Sequence, residues 1–193
     1  MALTKVQLKD FLAGFKLTST GKADDVGKTD IKREALAHYI RRAGAEAFEM
    51  LGYKQESGAV ASNYESNTVT DITGVTYNDI TGKAETIELS EYVVNPKKTV
   101  FLEEAIKLKL SDQEEEMQDY EILTVYGFLR NDKSACLATL ETGCTVVLDN
   151  LGGQGFTHSD VNITLSGQKT YGTVSEIIAV PTFTEYAPAA QAE

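Results

Sequence analysis

Apolar residues change their spacing several times along the chain, and each change marks an element. Leu8, Phe11, Leu12 and Phe15 recur at helical intervals after Thr4 and Gln7, which have the spacing of a capping box, and Gly14 offers a stop. This predicts a short first helix. Residues 18–30 are small, polar and glycine-bearing, as loops and arms are. From Ile31 to about Leu51, Leu36, Tyr39, Ile40, Ala43, Ala47 and Phe48 again fall at helical spacing behind a capping Asp30. A second helix is expected there. Gly44 weakens its middle, and the part after Gly44 reads equally as a strand.

Beyond Gly52 the texture turns to β. Residues 53–68 are polar, with Gly58, Ser62, Asn63 and Asn67, and suit a long hairpin or loop. Val69–Asp79 is rich in Thr, Val and Tyr and predicts a strand. Ala84–Val94 predicts another, with Ile87, Leu89 and Val93 on one face and Thr86, Glu88 and Ser90 on the other. Asn95-Pro96 signals a helix start, because asparagine caps and proline fits the first turn. Phe101, Leu102, Ala105, Ile106 and Leu110 give that helix its buried side. Consecutive strands follow at Tyr120–Arg130, Ala135–Asp149, Ser159–Ser166 and Tyr171–Val180, parted by turns at Asn131-Asp132, Leu151–Gly155 and Gly167–Lys169. Ile122, Tyr126 and Phe128 oppose Leu123, Val125 and Leu129, so the first of these strands is apolar on both faces and needs cover on both. The pattern adds up to an α+β, mainly β fold: a β-sandwich or open barrel with one flanking helix and an N-terminal helical arm.

Composition removes whole classes of function. With 193 residues, 42% hydrophobic and 24% charged, the chain suits one substantial globular domain with extensions. A net charge of −11 opposes tight binding to a phosphate backbone. Lys5, Lys9 and Asp10 interrupt the N-terminal apolar residues, leaving no signal-peptide core, and no apolar run reaches membrane length. Cys136 and Cys144 read as two buried thiols in a strand region of a protein kept reduced.

Motifs that imitate chemistry fail in detail. Gly21–Thr29 (GKADDVGKT) resembles a phosphate loop, but Gly21 stands one residue too far away, Lys22 fills a position that must be small, and Asp24 and Asp25 repel phosphate. Leu151–Gly155 is glycine-rich yet opens no helix. His38 and His158 have no Cys or His at metal spacing, and a partly buried or surface role is expected for His38. The acidic run Asp112 and Glu114–Glu116 lacks the spaced ligands and central glycine of a calcium loop. No G-x-S-x-G elbow occurs. No catalytic residue, metal site or cofactor is expected, and the absence of Trp counts against a carbohydrate-binding module.

From about Gly52 to Ala187 the order of parts resembles the major tail tube proteins of long-tailed, non-contractile bacteriophages. The resemblance is carried by Asp71-Ile72-Thr73-Gly74, then Ala84–Val94 and Asn95-Pro96, by Tyr126-Gly127-Phe128-Leu129, and by Tyr171-Gly172-Thr173-Val174 ending Val180-Pro181-Thr182-Phe183-Thr184. Lys28-Thr29-Asp30-Ile31 and its amphipathic sequel are similar too. The resemblance implies a two-sheet β-sandwich over residues 52–187, an N-terminal arm over 1–51 and a short tail at 188–193. It implies hexameric rings stacked into a hollow virion tube, assembled in the host cytoplasm, with other copies of itself, a tape measure protein, a tail terminator and baseplate or tip proteins as partners, and no membrane. DNA would pass the lumen without specific binding. Candidate ring-to-ring contacts are Phe11, Phe15, Lys54, Glu56, Asn63 and Tyr64, and candidate lumen-facing carboxylates are Asp71, Glu85 and Glu88. The inner tube of a contractile tail or secretion device and a monomeric β-sandwich binding module are the alternatives.

Overall fold

The computed structural model describes residues 4–18, 36–52, 60–70 and 76–188, with backbone alone at residues 60, 63–70, 76–83 and 114. The expected loop at 19–30, Lys54, Glu56 and Asp71 lie outside the described residues. The fold is mainly β. Among the described residues two α-helices, α1 (Lys5–Ala13) and α2 (Val100–Leu110), accompany ten strands. The strands are β1 (Lys16–Leu17), β2 (Leu36–Arg42), β3 (Glu49–Met50), β4 (Val60–Thr70), β5 (Thr76–Val93), β6 (Tyr120–Arg130), β7 (Cys136–Gly152), β8 (His158–Leu165), β9 (Lys169–Val174) and β10 (Thr184–Glu185). Hydrogen bonding follows one order, β3-β2-β6-β7-β8-β5-β4, with β1 on β6 and with β9, bearing β10, on β7. The pairs β1–β6, β9–β10, β2–β3, β4–β5, β5–β8, β7–β8 and β7–β9 are antiparallel.

The chain forms two compact units. The first comprises residues 1–51, 121–142 and 168–193, the second 52–120 and 143–167, so β7 gives its first half to one and its second half to the other. In the first unit, α1 starts as its capping box requires: the Gln7 N–H donates to Thr4 Oγ1, and the Thr4 N–H donates to Gln7 Oε1 at 3.0 Å. The core gathers Ala37, Tyr39 and Phe48 with Leu123, Val125, Cys136, Ala138 and Val174. The Tyr39 hydroxyl donates to the Ile178 carbonyl at 2.8 Å, and burial pushes its pKa up to about 12. Arg41 ion-pairs with Glu121 at 2.6 Å and lies 4.1 Å over the Phe48 ring, which satisfies a cation that is itself mostly covered.

The helix expected over 31–51 is, where described, a strand, a turn and a short second strand. Ala37, His38, Tyr39 and Ile40 are consecutive and all buried. A strand covered on both faces loses its alternation, and a run of apolar residues then mimics helical spacing. Gly44, at φ 84, adopts the left-handed turn that ends β2. His38 is buried rather than partly exposed; its Nδ1 lies 3.0 Å from Thr124 Oγ1 and its Nε2 has no partner among the described residues.

In the second unit, Val146–Ile163–Ile87 and Leu148–Val161–Leu89 form buried rows across β7, β8 and β5. Tyr92 and Phe101 bring α2 to this sheet with ring centroids 6.0 Å apart, and the Lys109 ammonium donates to the Leu148 carbonyl. Asn95-Pro96 does not open the helix. Asn95 Oδ1 accepts from the Lys97 N–H at 2.9 Å in a separate turn, and α2 begins at Val100. Its buried side is Phe101, Leu102, Ala105 and Leu108; Leu110, expected inside, is 74% exposed. The strand expected at 69–79 straddles the two arms of the β4–β5 hairpin, and much of the polar stretch 53–68 is strand β4. The final strand is shorter than expected and stops at Val174.

Two tests follow from packing and burial. A Cβ at Gly172 would collide with the Thr184 carbonyl oxygen and the Phe183 ring, so Gly172→Ala should strip β10 from β9 and cost about 1–3 kcal/mol in denaturant unfolding. His38 is held by burial at a pKa of about 4, below its ordinary 6.5. Between those values the unfolded chain takes up a proton that the folded chain refuses, so the stabilisation is complete above pH 6.5 and is lost as pH falls toward 4. The loss reaches about 3 kcal/mol at most, and unfolding curves of His38→Gln should lack that part of the pH dependence.

Candidate assembly surfaces

The second unit presents a polar sheet face opposite its buried rows. Alternation puts Thr145–Thr164–Thr86 in one row, Val147–Asn162–Glu88 in the next and Asp149–Asp160 in the third. Glu88, Asp149, Val147 and Thr164 are exposed. No Lys or Arg occurs in residues 84–93, 143–152 or 158–165, so the charged groups of this face are the carboxylates Glu88, Asp149 and Asp160 and the face is anionic. Two of its carboxylates are held: Asn162 Nδ2 donates to Asp149 Oδ2 at 3.0 Å, while Asp160 accepts from the Glu91 N–H and from Asn150 Nδ2. Those two bonds, the Glu91 N–H first, hold the Asp160 pKa below its ordinary value. Among the described residues no group of three or more His, Cys, Asp and Glu could hold a metal.

The face separates residues that the sequence placed together. Glu88 belongs to it, but Glu85 has the opposite parity, pairs with Leu165 and accepts a hydrogen bond from the Ser62 hydroxyl at 3.2 Å. Asp149 and Asp160 were missed. Their strands alternate legibly, but the ladder register that brings them beside Glu88 spans β5 to β8, a separation no local pattern encodes.

A second surface is the β4–β5 ribbon. The pairing of β5 with β8 begins at Glu85, whereas its pairing with β4 extends out to Thr76. Residues 76–84 therefore pair with β4 alone, giving a two-stranded ribbon about 30 Å long at ~3.3 Å per residue. Among the described residues, β4 pairs only with β5, so its other edge is open. Asn63 and Tyr64 lie on this edge strand, opposite Ala84 and Lys83.

The third surface surrounds α1 in the first unit. Phe11 and Phe15 are half-buried and meet edge to face at 5.0 Å, and Phe11 stacks on Tyr186 at 4.2 Å. Phe11 thus already has a partner within its own chain. Beside the stack, Asn131–Lys133, Gly172, Thr184 and Glu185 border an open groove of about 420 Å³. None of the residues of α1 is buried, and Val6 is 68% exposed.

If the anionic face keeps nucleic acid off, reversing it should create affinity. Glu88→Lys with Thr164→Lys should retain duplex DNA at low salt and release it as salt rises, whereas the parent protein should show no retention, as read by filter binding.

No protein-family model and no curated protein matches the chain. Several solved structures show similarity, three of which follow. One is the sheath–tube complex of an extracellular contractile injection system (PVC) in its extended state, with 13% identity and a TM-score of 0.44 over 71% of this chain and 88% of that one. Another is the tube-terminating cap of the anti-feeding prophage, with 15% identity and a TM-score of 0.43 over 79% and 97%. The baseplate of the anti-feeding prophage follows, with 8% identity and a TM-score of 0.40 over 70% and 91%.

Proposed function

We propose that this protein is a structural subunit of a phage tail tube, a passive conduit built from stacked rings of identical copies. The observation that carries the reading is the β4–β5 ribbon, which leaves the rest of its sheet and keeps an open edge. A two-stranded ribbon is marginally stable alone and a template for pairing, so a design that retains one supplies it with a partner. Repeating one heterologous contact closes a ring when its rotation divides a full turn. Six copies, a two-sheet closure and a non-contractile tail are what the sequence resemblance adds.

The anionic face fits the same role. Six-fold repetition of Glu88, Asp149 and Asp160 around a channel would make a wall that repels a passing phosphate backbone, with no site at which DNA could bind. Phe11, Phe15, Lys54, Glu56, Asn63 and Tyr64 are the proposed ring-to-ring contacts, and Asp71 joins the proposed lumen-facing carboxylates. Glu85, on the opposite side of the sheet from Glu88, is the remaining carboxylate that the sequence resemblance offers for the lumen.

Electron microscopy of concentrated protein should show hollow tubes or six-fold rings, with no binding of sheath subunits in cosedimentation. A chain that stays monomeric even with a tail initiator would sink the reading and favour a monomeric binding module. Replacing residues 67–79 by Asn-Gly should leave the thermal midpoint unchanged and abolish tubes; normal tubes from that variant would remove the ribbon from assembly.

A further inference from the structure

Asp160 stands opposite an extra residue on both sides. In the β5–β8 ladder the register shifts between Leu89 and Tyr92, so Ser90 and Glu91 together face Asp160. In the β7–β8 ladder it shifts between Asp149 and Leu151, so Asp149 and Asn150 face the same residue. Each bulge contains a non-glycine residue in the left-handed region, Glu91 at φ 52 and Asn150 at φ 48. That conformation is disfavoured for residues with a side chain and persists where the surroundings hold it. The holder is one carboxylate: Oδ1 accepts from the Glu91 N–H at 2.7 Å and Oδ2 accepts from Asn150 Nδ2 at 3.1 Å. On the neighbouring residue, the buried Ser159 hydroxyl donates to the Asp149 carbonyl at 2.8 Å, closing the β7 side of the same line.

Bulges bend a strand and increase its local twist. Two of them flanking a regular strand at one level make a bend line across three strands. The consequence is visible in burial: Leu89 points into the core before the line, and Tyr92 does so after it, a change of parity that only an inserted residue allows. The bend line crosses the anionic face at the level of Asp149 and Asp160.

We propose that Asp160 is a positioning residue for assembly: its two oxygens hold the paired bulges and so set the bend of the sheet with which copies of this chain close a ring. The assembly half of this inference rests on the tube reading, and the pin itself does not. If Asp160 acts by holding two left-handed residues, it becomes dispensable when those residues are glycines, which adopt that conformation freely.

The experiment is a cycle of Asp160→Ala in the parent and in a Glu91→Gly, Asn150→Gly background, read by amide exchange at residue 91, thermal unfolding and tube images. In the parent, Asp160→Ala should speed exchange at residue 91 by roughly tenfold or more and lower the thermal midpoint. Its tubes should vary in diameter or fail to close. In the glycine background the same substitution should change the thermal midpoint little, and tubes should be uniform again. Equal thermal losses in both backgrounds, or uniform tubes of parent diameter from Asp160→Ala alone, would overturn the proposal. Should Asp160→Ala not fold, Asp160→Asn, which keeps an acceptor for the Glu91 N–H and loses the one for Asn150 Nδ2, serves in the same cycle, and equal thermal losses in both backgrounds again overturn the proposal. Absence of tubes from the parent chain defeats the tube reading, while exchange and unfolding still decide whether Asp160 is the pin.

Discussion

The backbone hydrogen bonding of one strand, β7, constrains everything else in this chain. Its 17 residues pair through Cys136–Glu141 with β9 and through Thr145–Gly152 with β8. Such a strand cannot slip by a single residue without turning every side chain to the wrong face. Its second half alternates, with Cys144, Val146 and Leu148 buried and Val147 and Asp149 exposed, while its first half, Cys136 to Thr139, is buried on both faces. The cysteines serve here as small buried groups, neither in a disulfide, and burial pushes the Cys136 thiol up, away from the thiolate that reactive chemistry needs. Between the paired halves, Gly143 at φ 70 gives the strand a residue that accepts local irregularity without strain.

What the sequence revealed depended on whether local physics alone decided the outcome. The capping box of α1 is a contact over three residues, and it formed as spelled. Tyr120–Arg130 is strongly apolar and β-branched, and its bounds were legible to the residue. Leu36–Arg42 was misread because its partners are distant: His38 meets Thr124, Arg41 meets Glu121, and Tyr39 meets Ile178. Those contacts bury both faces of the strand and erase the period of two that would have identified it. Asn95 was misread for a different reason, since an asparagine that caps a turn and one that caps a helix use the same side-chain oxygen. The acidic surface was half legible. Glu88 lay on an alternating strand, but its companions Asp149 and Asp160 come from strands some sixty residues away and are joined only by register.

Charge and edge geometry support the conduit reading by independent routes. An acidic composition alone promotes solubility as readily as it lines a channel. Here one sheet face carries Glu88, Asp149 and Asp160 with no Lys or Arg among its residues, and two of the three are held by hydrogen bonds from Asn162, Asn150 and the Glu91 N–H. Fixed carboxylates cannot swing aside to let a phosphate approach, so the repulsion is part of the scaffold. The ribbon argues from the opposite need, because an exposed backbone edge attracts strands as surely as a carboxylate face repels phosphate.

Both features lie on β5, and that links them mechanically. The strand pairs with β4 alone over its outer half and with both β4 and β8 from Glu85 to Ile87, then enters the bulge at Ser90 and Glu91. In the proposed tube, a displacement of the ribbon by a neighbouring copy would be transmitted along one continuous backbone toward Asp160. A rigid pin at that point would keep the anionic face of the proposed tube in a fixed attitude while the ribbon adapted to a neighbouring copy. In a tube this matters more than in a monomer, because a small error in bend at each copy accumulates around the ring, and closure tolerates only one value of the sum.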